Sequence, residues 1–285
     1  MENSHIKNLS GLLLATLFIS TSGVLGKHIA MPTEIIVWFR ASLAMVFLYI
    51  FCKYKKIDLT IKSSKDYIPF LISGVFMAAH WVTYFYALKL SNVAIGVLSL
   101  YTFPVITALL EPLFLKTKFN PFYIVLGLMV LAGLYILVPE FNLESTQVKG
   151  VLFGVFSALC YAIRILILKG QVSNYNGTML MFYQTIIITI LLLPAMFFMD
   201  VSGIETQYPY IILLALLTTA IGHSLMLHSL KFFSATTTTI ISSLQPIFGI
   251  ILAFIFLNEI PTMNTFLGGS LILLTVVIES VRSKN

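Results

Sequence analysis

A single guanidinium lies deep inside an apolar stretch of this sequence. Arg40 follows the start of the run Thr33–Phe51 by about seven residues, which is about 10 Å of helix. Charges at membrane depth are costly and usually face a bundle interior or a water-filled cavity. There a guanidinium could bind a carboxylate through two parallel hydrogen bonds. The alternative is that the side chain extends to the nearer membrane surface.

Aromatic and imidazole side chains lie at a similar depth. His80, Trp81 and Tyr84 share one apolar run, and His80 and Tyr84 are four positions apart, so they share a helix face. Tyr101 in the next run lies at the level of Arg40 and His80. These residues predict an aromatic and polar pocket for an amphipathic substrate. The alternative for Trp81 and Tyr84 is the aromatic belt at the membrane surface.

The second half of the chain carries polar residues at matching levels. Gln184 occupies the position that corresponds to Arg40, and His223 and Ser243 lie at the corresponding depth of their own runs. Because histidine titrates near neutral pH, protons are a candidate coupling ion, with structural packing as the alternative reading of His223.

Two prolines interrupt apolar runs near their middle. Pro104 and Pro246 lack an N–H and would leave the carbonyls of Leu100 and Ser242 without helical partners. In lipid such carbonyls must find another donor or line a wet cavity. We expect a kink at each proline, which either packs against neighbouring helices or forms a flexible wall of a central cavity.

Two further charges lie nearer to the opposite ends of their runs. Glu111 could reach the membrane surface or pair with Arg164, and the sequence leaves open whether this is structural or a gating contact. A direct pair of Glu111 with Arg40 is not expected, because their depths differ by roughly 15–20 Å.

The composition identifies the class of protein. Of 285 residues, 59% are hydrophobic and only 10% are charged, whereas a soluble domain has about 25% charged residues. The mean hydropathy is +0.98. These values predict a polytopic membrane protein. No nucleotide-binding, zinc-protease or metal-spaced Cys/His motif is present, so we expect no cofactor and no metal.

Ten apolar runs are long enough for an all-α fold with ten transmembrane helices, since a bilayer core requires about 20 residues of helix. They are Leu9–Ile29, Thr33–Phe51, Tyr67–Leu88, Val93–Leu115, Pro121–Val138, Lys149–Leu168, Gly177–Met199, Tyr208–Leu230, Ser234–Leu257 and Met263–Ser280.

A repeat relates the two halves of the chain. The stretch from Leu88 aligns without a gap on the stretch from Leu230, with Pro104 on Pro246 and Gly127 on Gly269. The period of roughly 140 residues is too long for a solenoid. Five helices per half is an odd number, so the halves, residues 1–145 and 146–285, would be inverted repeats. This architecture is typical of secondary transporters with a site near the midplane.

The positions of lysine and arginine in the loops predict the orientation. With the N-terminus inside, the inner loops hold Lys7, Lys53, Lys55, Lys56, Lys62, Lys65, Lys116, Lys118, Lys169, Lys231, Arg282 and Lys284. The outer loops hold only Lys27, Lys89 and Lys149, together with acidic residues such as Glu140. Both termini are therefore expected in the cytoplasm. The net charge of +6 reflects this bias rather than nucleic-acid binding.

The chain resembles the EamA family of the drug/metabolite transporter superfamily. The resemblance rests on Arg40 in VWFRASLA, the YFYAL of Tyr84–Leu88, the two prolines, the LNE of Leu257–Glu259, and Gly268 with Gly269. It implies ATP-independent transport of small metabolites such as amino acids, with export favoured, in the cell membrane.

Rival functions are a membrane-embedded enzyme and a non-transporting subunit or sensor. An enzyme would need a constellation of acid, base or nucleophile at one membrane surface. The charged residues are too few and too dispersed for that, so we expect no enzymatic activity. The sequence does not distinguish a monomer from a dimer. We expect a small-molecule substrate in a cavity lined by Arg40, His80, Trp81, Tyr84, Tyr101, Pro104, Gln184, His223, Ser243 and Pro246.

Overall fold

A computed structural model describes residues 2–115, 119–138, 142–229, 232–233 and 241–282. Five of the loop charges that predict the orientation lie outside these ranges: Lys116, Lys118, Glu140, Lys231 and Lys284. Leu230, at the start of the second repeat copy, also lies outside them. Every regular element in the described ranges is helical, which confirms an all-α polytopic fold.

The helices follow one another with short connections. They are α1 (Glu2–His28), α2 (Thr33–Tyr54), α3 (Tyr67–Leu90), α4 (Val93–Leu100), α5 (Phe103–Leu115), α6 (Phe122–Leu137), α7 (Thr146–Lys169), α8 (Gly177–Leu192), α9 (Ala195–Phe198), α10 (Ile204–Leu213), a π-helix (Leu214–His223), α11 (Ser224–Ser229), α12 (Leu244–Leu257) and α13 (Met263–Arg282). A short 3₁₀ turn at Ser64–Asp66 precedes α3.

Several helices can cross a membrane by length and composition. Counted across short breaks, seven segments of the described chain are long and apolar enough: Asn8–His28, Thr33–Tyr54, Ser64–Leu90, Val93–Phe114, Thr146–Lys169, Gly177–Phe198 and Ile204–Ser229. Three shorter apolar helices complete the set, namely Phe122–Leu137, Leu244–Leu257 and Met263–Ile278.

Each proline lies just after a break in its helical segment. The predicted run Val93–Leu115 is two helices, α4 and α5, separated by a turn at Tyr101 and Thr102. Pro104 is the second residue of α5, and Pro246 is the third residue of α12, directly after a turn at Ser243. In the first helical turn a missing N–H costs no intrahelical bond, so a proline is tolerated there.

Side-chain caps fix several helix ends. The Asn92 side chain accepts a hydrogen bond from the Ile95 N–H at 2.8 Å and begins α4, and Asn176 begins α8 in the same way. Asn258 ends α12 in the left-handed conformation with φ of 55°. Asparagine is enriched at this kind of helix end because it tolerates positive φ better than most residues.

The outer surface of the bundle is apolar in a helical pattern. On α6, Ile124, Leu128, Leu131 and Tyr135 are between 53% and 63% exposed, and their spacing of four, three and four places them on one face. The opposite face, including Leu126 and Leu137, is buried. An apolar face of this size suits lipid rather than water.

Tight packing joins the two halves of the chain. α3 packs along α7, α2 along α8, α6 along α13, and α1 along the π-helix and α12. Glycines permit the closest approaches: a Cβ on Gly268 would lie 2.6 Å from the Gly133 carbonyl oxygen. Small residues at membrane helix interfaces allow this backbone contact. The central cavity lies among the helices held by these contacts.

Candidate functional site

A cavity of about 330 Å³ lies at the centre of the bundle. Its walls come from both halves of the chain, on α1, α2, α3, α4, α5, α7, the π-helix, α11 and α12. Its lining includes Ser20, Ser22, Arg40, His80, Trp81, Tyr84, Tyr101, Phe103, Tyr161, Arg164, Lys169, His223, Ser242 and Gln245. Small-molecule sites have this size and this mixture of apolar walls with a few polar groups.

Arg40 on α2 is 1% exposed, and its guanidinium is held from two sides. Its Nε donates to Thr219 Oγ1 at 2.7 Å, and its Nη2 donates to Thr218 Oγ1 at 3.0 Å. Its Cζ lies 3.8 Å from the centre of the Trp81 ring, within cation–π range. The side chain therefore turns inward rather than toward the membrane surface.

The π-helix supplies both threonines. A π-helical segment is wider than an α-helix and is frequently found at functional sites. Here two consecutive residues, Thr218 and Thr219, both reach the same guanidinium. The Thr218 hydroxyl in turn donates to the Leu214 carbonyl. These acceptors are neutral, so they orient the Arg40 charge without compensating it.

A second arginine, Arg164 on α7, lines the same cavity and is 2% exposed. Its Nη2 and Nε donate to the Gln184 Oε1 at 2.8 and 3.2 Å. Gln184 Nε2 donates to Ser73 Oγ at 3.2 Å. The amide thus orients the guanidinium, and it too is neutral.

The imidazole of His80 has a defined tautomer. Ser157 donates its hydroxyl proton to the His80 carbonyl oxygen at 2.9 Å, so its oxygen can only accept from His80 Nδ1 at 2.7 Å. The proton of neutral His80 is therefore on Nδ1, which leaves Nε2 as an acceptor. The rings of Tyr161 and Tyr84 lie 4.7 and 6.1 Å from the imidazole, and these three rings form one aromatic wall.

The two helix breaks meet in the cavity. Tyr101, in the turn between α4 and α5, donates its hydroxyl to the Ser242 carbonyl oxygen. Ser242 lies four residues before Pro246, so this is the carbonyl that the proline leaves without a helical donor. A side chain of the first half therefore supplies the hydrogen bond missing in the second.

The structure places six of the ten predicted site residues on the cavity wall: Arg40, His80, Trp81, Tyr84, Tyr101 and His223. Gln184 lies behind Arg164 and contacts it. Pro104 and Pro246 are buried at the starts of their helices, and Ser243 lies between Ser242 and the start of α12. Sequence reasoning missed Tyr161, Thr218 and Thr219, and it did not place Arg164 in the cavity.

Glu111 pairs with Lys169 rather than with Arg164, which corrects one proposed pairing. The Glu111 side chain is 30% exposed and Lys169 is 48% exposed, so the contact lies at the margin of the cavity. The two are on α5 and α7, whose neighbouring ends bring them together. It is the only ion pair among the described residues, and no acidic residue belongs to the cavity lining found there.

Metal binding has no support in the described residues, where no cluster of three His, Cys, Asp or Glu side chains could hold an ion. The groups that the cavity does offer are two buried guanidinium ions, the Lys169 ammonium at its margin, neutral hydrogen-bonding groups and aromatic rings. Chemically, these can bind a small anion with an apolar or aromatic portion.

Comparison with known proteins gives a consistent assignment. Residues 7–138 and 148–281 each match the EamA-like transporter family. The chain is 26% identical to an uncharacterized transporter, YxxF, of Bacillus subtilis over 95% of this chain and 88% of that protein. It is 25% identical to the pseudopaline exporter CntI of Pseudomonas aeruginosa over 96% and 97% of the respective chains. One crystal structure with 15% identity superposes with a TM-score of 0.69 over 98% of each chain, which shows a shared fold.

Proposed function

Since the chain belongs to the EamA-like transporter family, we propose that it is a secondary carrier that moves a small carboxylate-bearing metabolite, such as an amino acid, across the cell membrane by alternating access. The observation that carries this proposal is the buried Arg40 charge in the central cavity, which has only neutral partners. A buried charge without an opposite charge is costly, and an anionic substrate would supply one.

Arg40 is the residue that would hold the carboxylate. The Arg40–Thr218 and Arg40–Thr219 bonds fix the plane of the guanidinium and employ only Nε and Nη2. A guanidinium can bind both carboxylate oxygens in parallel, which fixes the orientation of the ligand as well as its charge. The remaining predicted site residues on the wall would contact the rest of the substrate, chiefly through the rings of Trp81, Tyr84 and Tyr101.

The proposed architecture is ten membrane crossings in two inverted repeats, residues 1–145 and 146–285. The seven long and three shorter apolar helices support this number. The packing pattern supports a two-fold relation between the halves, which five crossings per half would make an inverted one: α3 lies on α7 as the π-helix lies on α1, while α2–α8 and α6–α13 pair equivalent helices. A carrier of this design moves the halves relative to one another around a fixed site.

The orientation follows from the loop lysines, with both termini in the cytoplasm. The cavity then reaches toward the cytoplasm, because its lining extends to Leu168, Lys169 and Val172 at the end of α7 and just beyond. Export is the favoured direction, supported by the likeness to a pseudopaline exporter over nearly the whole chain.

Transport in proteoliposomes tests the proposal. The purified full-length protein, reconstituted with an internal pool of amino acids and dicarboxylates, should exchange them for radiolabelled external substrate without ATP. Imposing a pH gradient on the same vesicles tests protons as the coupling ion. Failure of every carboxylate to exchange would refute the proposal.

Variants at Arg40 test the anchoring role. Arg40→Leu should abolish exchange and Arg40→Lys should weaken it, because an ammonium keeps the charge but loses the two-point geometry. Lys65→Leu is the matched control, since Lys65 is exposed and outside the cavity. Size-exclusion profiles and thermal unfolding show whether each variant is folded. Normal exchange by folded Arg40→Leu would exclude Arg40 as the anchor.

A further inference from the structure

We propose that Arg164 is a second anion anchor, so that the substrate carries two carboxylates, one for Arg40 and one for Arg164, joined by an apolar spacer. This inference rests on the proposed transport function and adds the substrate class to it. It follows from the presence of two buried guanidinium groups on the wall of one cavity.

The two arginines are equivalent in their surroundings although they belong to different halves of the chain. Each is almost fully buried, at 1% and 2% exposure. Each uses its Nε and Nη2 to bond neutral acceptors: the hydroxyls of Thr218 and Thr219 for Arg40, and the Gln184 amide oxygen for Arg164. These bonds orient both groups and leave both charges uncompensated.

The energetics favour a doubly charged occupant. Isolated charges in a membrane-embedded cavity are unfavourable, and two of the same sign in one cavity also repel each other. A monocarboxylate would compensate one guanidinium and leave the other. A dicarboxylate would compensate both, so its affinity should exceed that of an otherwise identical monoanion.

The wall between the anchors is aromatic. Trp81 lies 3.8 Å from the Arg40 Cζ, and Tyr161 lies 5.4 Å from the Arg164 Cζ. His80, adjacent to Trp81 on α3, is 4.7 Å from the Tyr161 ring. Ring contacts connect the two guanidinium groups by another route: Phe85 lies 5.7 Å from the Arg40 Cζ, and Tyr84 lies 6.0 Å from Phe85 and 6.1 Å from His80. The rings of Tyr84, His80 and Tyr161 line the cavity, and an apolar spacer can pack against them.

Lys169 differs from both arginines and serves as an internal control. It lines the margin of the same cavity, but it is 48% exposed and its charge is already compensated by Glu111. If a positive charge anywhere in the lining were sufficient to favour a dianion, Lys169 would contribute to that preference as much as Arg164. If the buried uncompensated charge is what matters, Lys169 should not contribute to the choice between a dianion and a monoanion.

Matched ligand pairs test the proposal on the full-length protein in nanodiscs and proteoliposomes. Each α,ω-dicarboxylate from malonate to suberate is compared with its own monoamide, which has nearly the same size and one charge fewer. Binding is measured by titration calorimetry and transport by exchange. We expect at least one dicarboxylate to bind about tenfold or more tightly than its monoamide. Equal affinity for every dicarboxylate and its monoamide would overturn this inference and leave the proposed carboxylate transport intact. If no carboxylate exchanges at all, both proposals are wrong.

The variants then separate anchoring from a structural role. Arg164→Gln should weaken dicarboxylate binding and retain monoamide binding. The ratio of the two affinities should then fall to within about twofold. Arg164→Lys should restore part of the preference, and Lys169→Gln should leave it unchanged. If Arg164→Gln lowers the unfolding temperature but keeps the wild-type ratio of affinities, Arg164 is structural and the inference is wrong.

Discussion

The two ends of the helix bundle are held together by different chemistry. The Lys27 end comprises the ends of α1, α3 and α12 and the starts of α2, α4 and α7. The Lys169 end comprises the ends of α5 and α7 and the loop before α3. At the first, polar side chains bind backbone groups of neighbouring helices. At the second, the described contacts are one partly exposed ion pair at the margin of the cavity and hydrogen bonds from the loop before α3 to the loop after α7 and to α8.

The Lys27 end is closed by bonds to the main chain. Lys27 Nζ donates to the carbonyls of Leu88 and Ser91 at 2.8 and 2.7 Å, and to that of Lys89 at 3.3 Å. Two residues after the end of α12, in the other half, the Glu259 carboxylate accepts a hydrogen bond from the Val93 N–H at 2.8 Å. These contacts occupy the helix ends that have no intrahelical partners.

The Lys169 end is held less tightly in the described residues. The Glu111–Lys169 pair spans two helices at the cavity margin, and Tyr175 bonds the Lys62 N–H at 3.0 Å and the Asp66 carboxylate at 2.6 Å. The cavity lining extends to this end and does not include the Lys27 cluster. In our proposal the structure therefore corresponds to one state of a carrier, in which the Lys27 end is closed.

We therefore expect closure at the Lys27 end to depend on hydrogen bonds to the ends of helices, whereas at the Lys169 end the margin of the cavity is joined by one partly exposed ion pair, Glu111 with Lys169. Changes at the first should therefore alter stability and access together. Changes at the second should alter little.

The largest effect is expected from Lys27→Met, which removes the donor to three carbonyls. Hydrogen bonds to charged groups contribute about 1.5–3 kcal/mol each, so the two short bonds alone predict a loss of about 3 kcal/mol or more in the free energy of unfolding. The variant should also admit a membrane-impermeant maleimide to Ser22→Cys from the Lys27 side, measured in intact cells with Cys52 and Cys160 replaced. Unchanged labelling would show that Lys27 does not close this end.

A steric change at the same end should have the next largest effect. In Gly150→Ala the new Cβ would lie 2.7 Å from the Ser91 Cβ and 3.1 Å from the Ala87 carbonyl oxygen. Overpacking of this kind costs about 1–3 kcal/mol. Thermal unfolding in detergent measures it, with Gly127→Ala as control, because nothing lies within 4 Å of a Cβ there. Equal unfolding temperatures for the two variants would contradict this packing.

Tyr101 lies at the centre of the bundle, between the two ends. Tyr101→Phe should lower the free energy of unfolding by less than the changes at the Lys27 end. It leaves the Ser242 carbonyl without its donor, at a cost of about 1–2 kcal/mol. Tyr135→Phe is the control, since Tyr135 is 63% exposed on the outer face of α6. If both variants unfold at the wild-type temperature, the bond between the helix breaks contributes nothing to the fold.

The smallest effect is expected at the Lys169 end. Glu111→Gln removes a partly exposed ion pair, and such pairs contribute at most about 1 kcal/mol. Exchange rates should stay within about twofold of wild type. A severe loss of exchange in this variant would show that the Lys169 end has a gate after all, and the comparison between the ends would need revision.

The sequence predicts the helical membrane fold because its signals are local. Apolar runs, and run starts such as Pro121, each depend on a few neighbouring residues. Proline was harder to interpret: the sequence indicates an interruption near Pro104 but not whether the helix bends there or restarts after a turn, as it does at Tyr101 and Thr102. The sequence near a proline does not distinguish these outcomes, because both leave the same carbonyl unpaired and the difference lies in which donor is near.

The site was harder to predict than the fold because its partners are distant in sequence. Depth counting placed Arg40 correctly inward, but Arg164 lies five residues before the end of α7 and was assigned to the membrane margin. Arg164 is nevertheless buried, since it lines the cavity, which extends to this end of α7. A lone arginine in the apolar stretch around Cys160 was the available signal. For Thr218 and Thr219 there was none, since the π-helix that brings them together has no motif in the sequence.

The contact between Arg40 and Trp81 also gives the molecule an optical reporter. The chain has two tryptophans, and the other, Trp38, bonds the Thr189 carbonyl through its indole N–H. In a Trp38→Phe background, all tryptophan fluorescence would come from a ring whose face lies 3.8 Å from the guanidinium. An anion that draws the guanidinium off this ring changes the electric field on the indole and therefore shifts its emission. Occupancy of the cavity can thus be followed by light, without a label or a transported isotope.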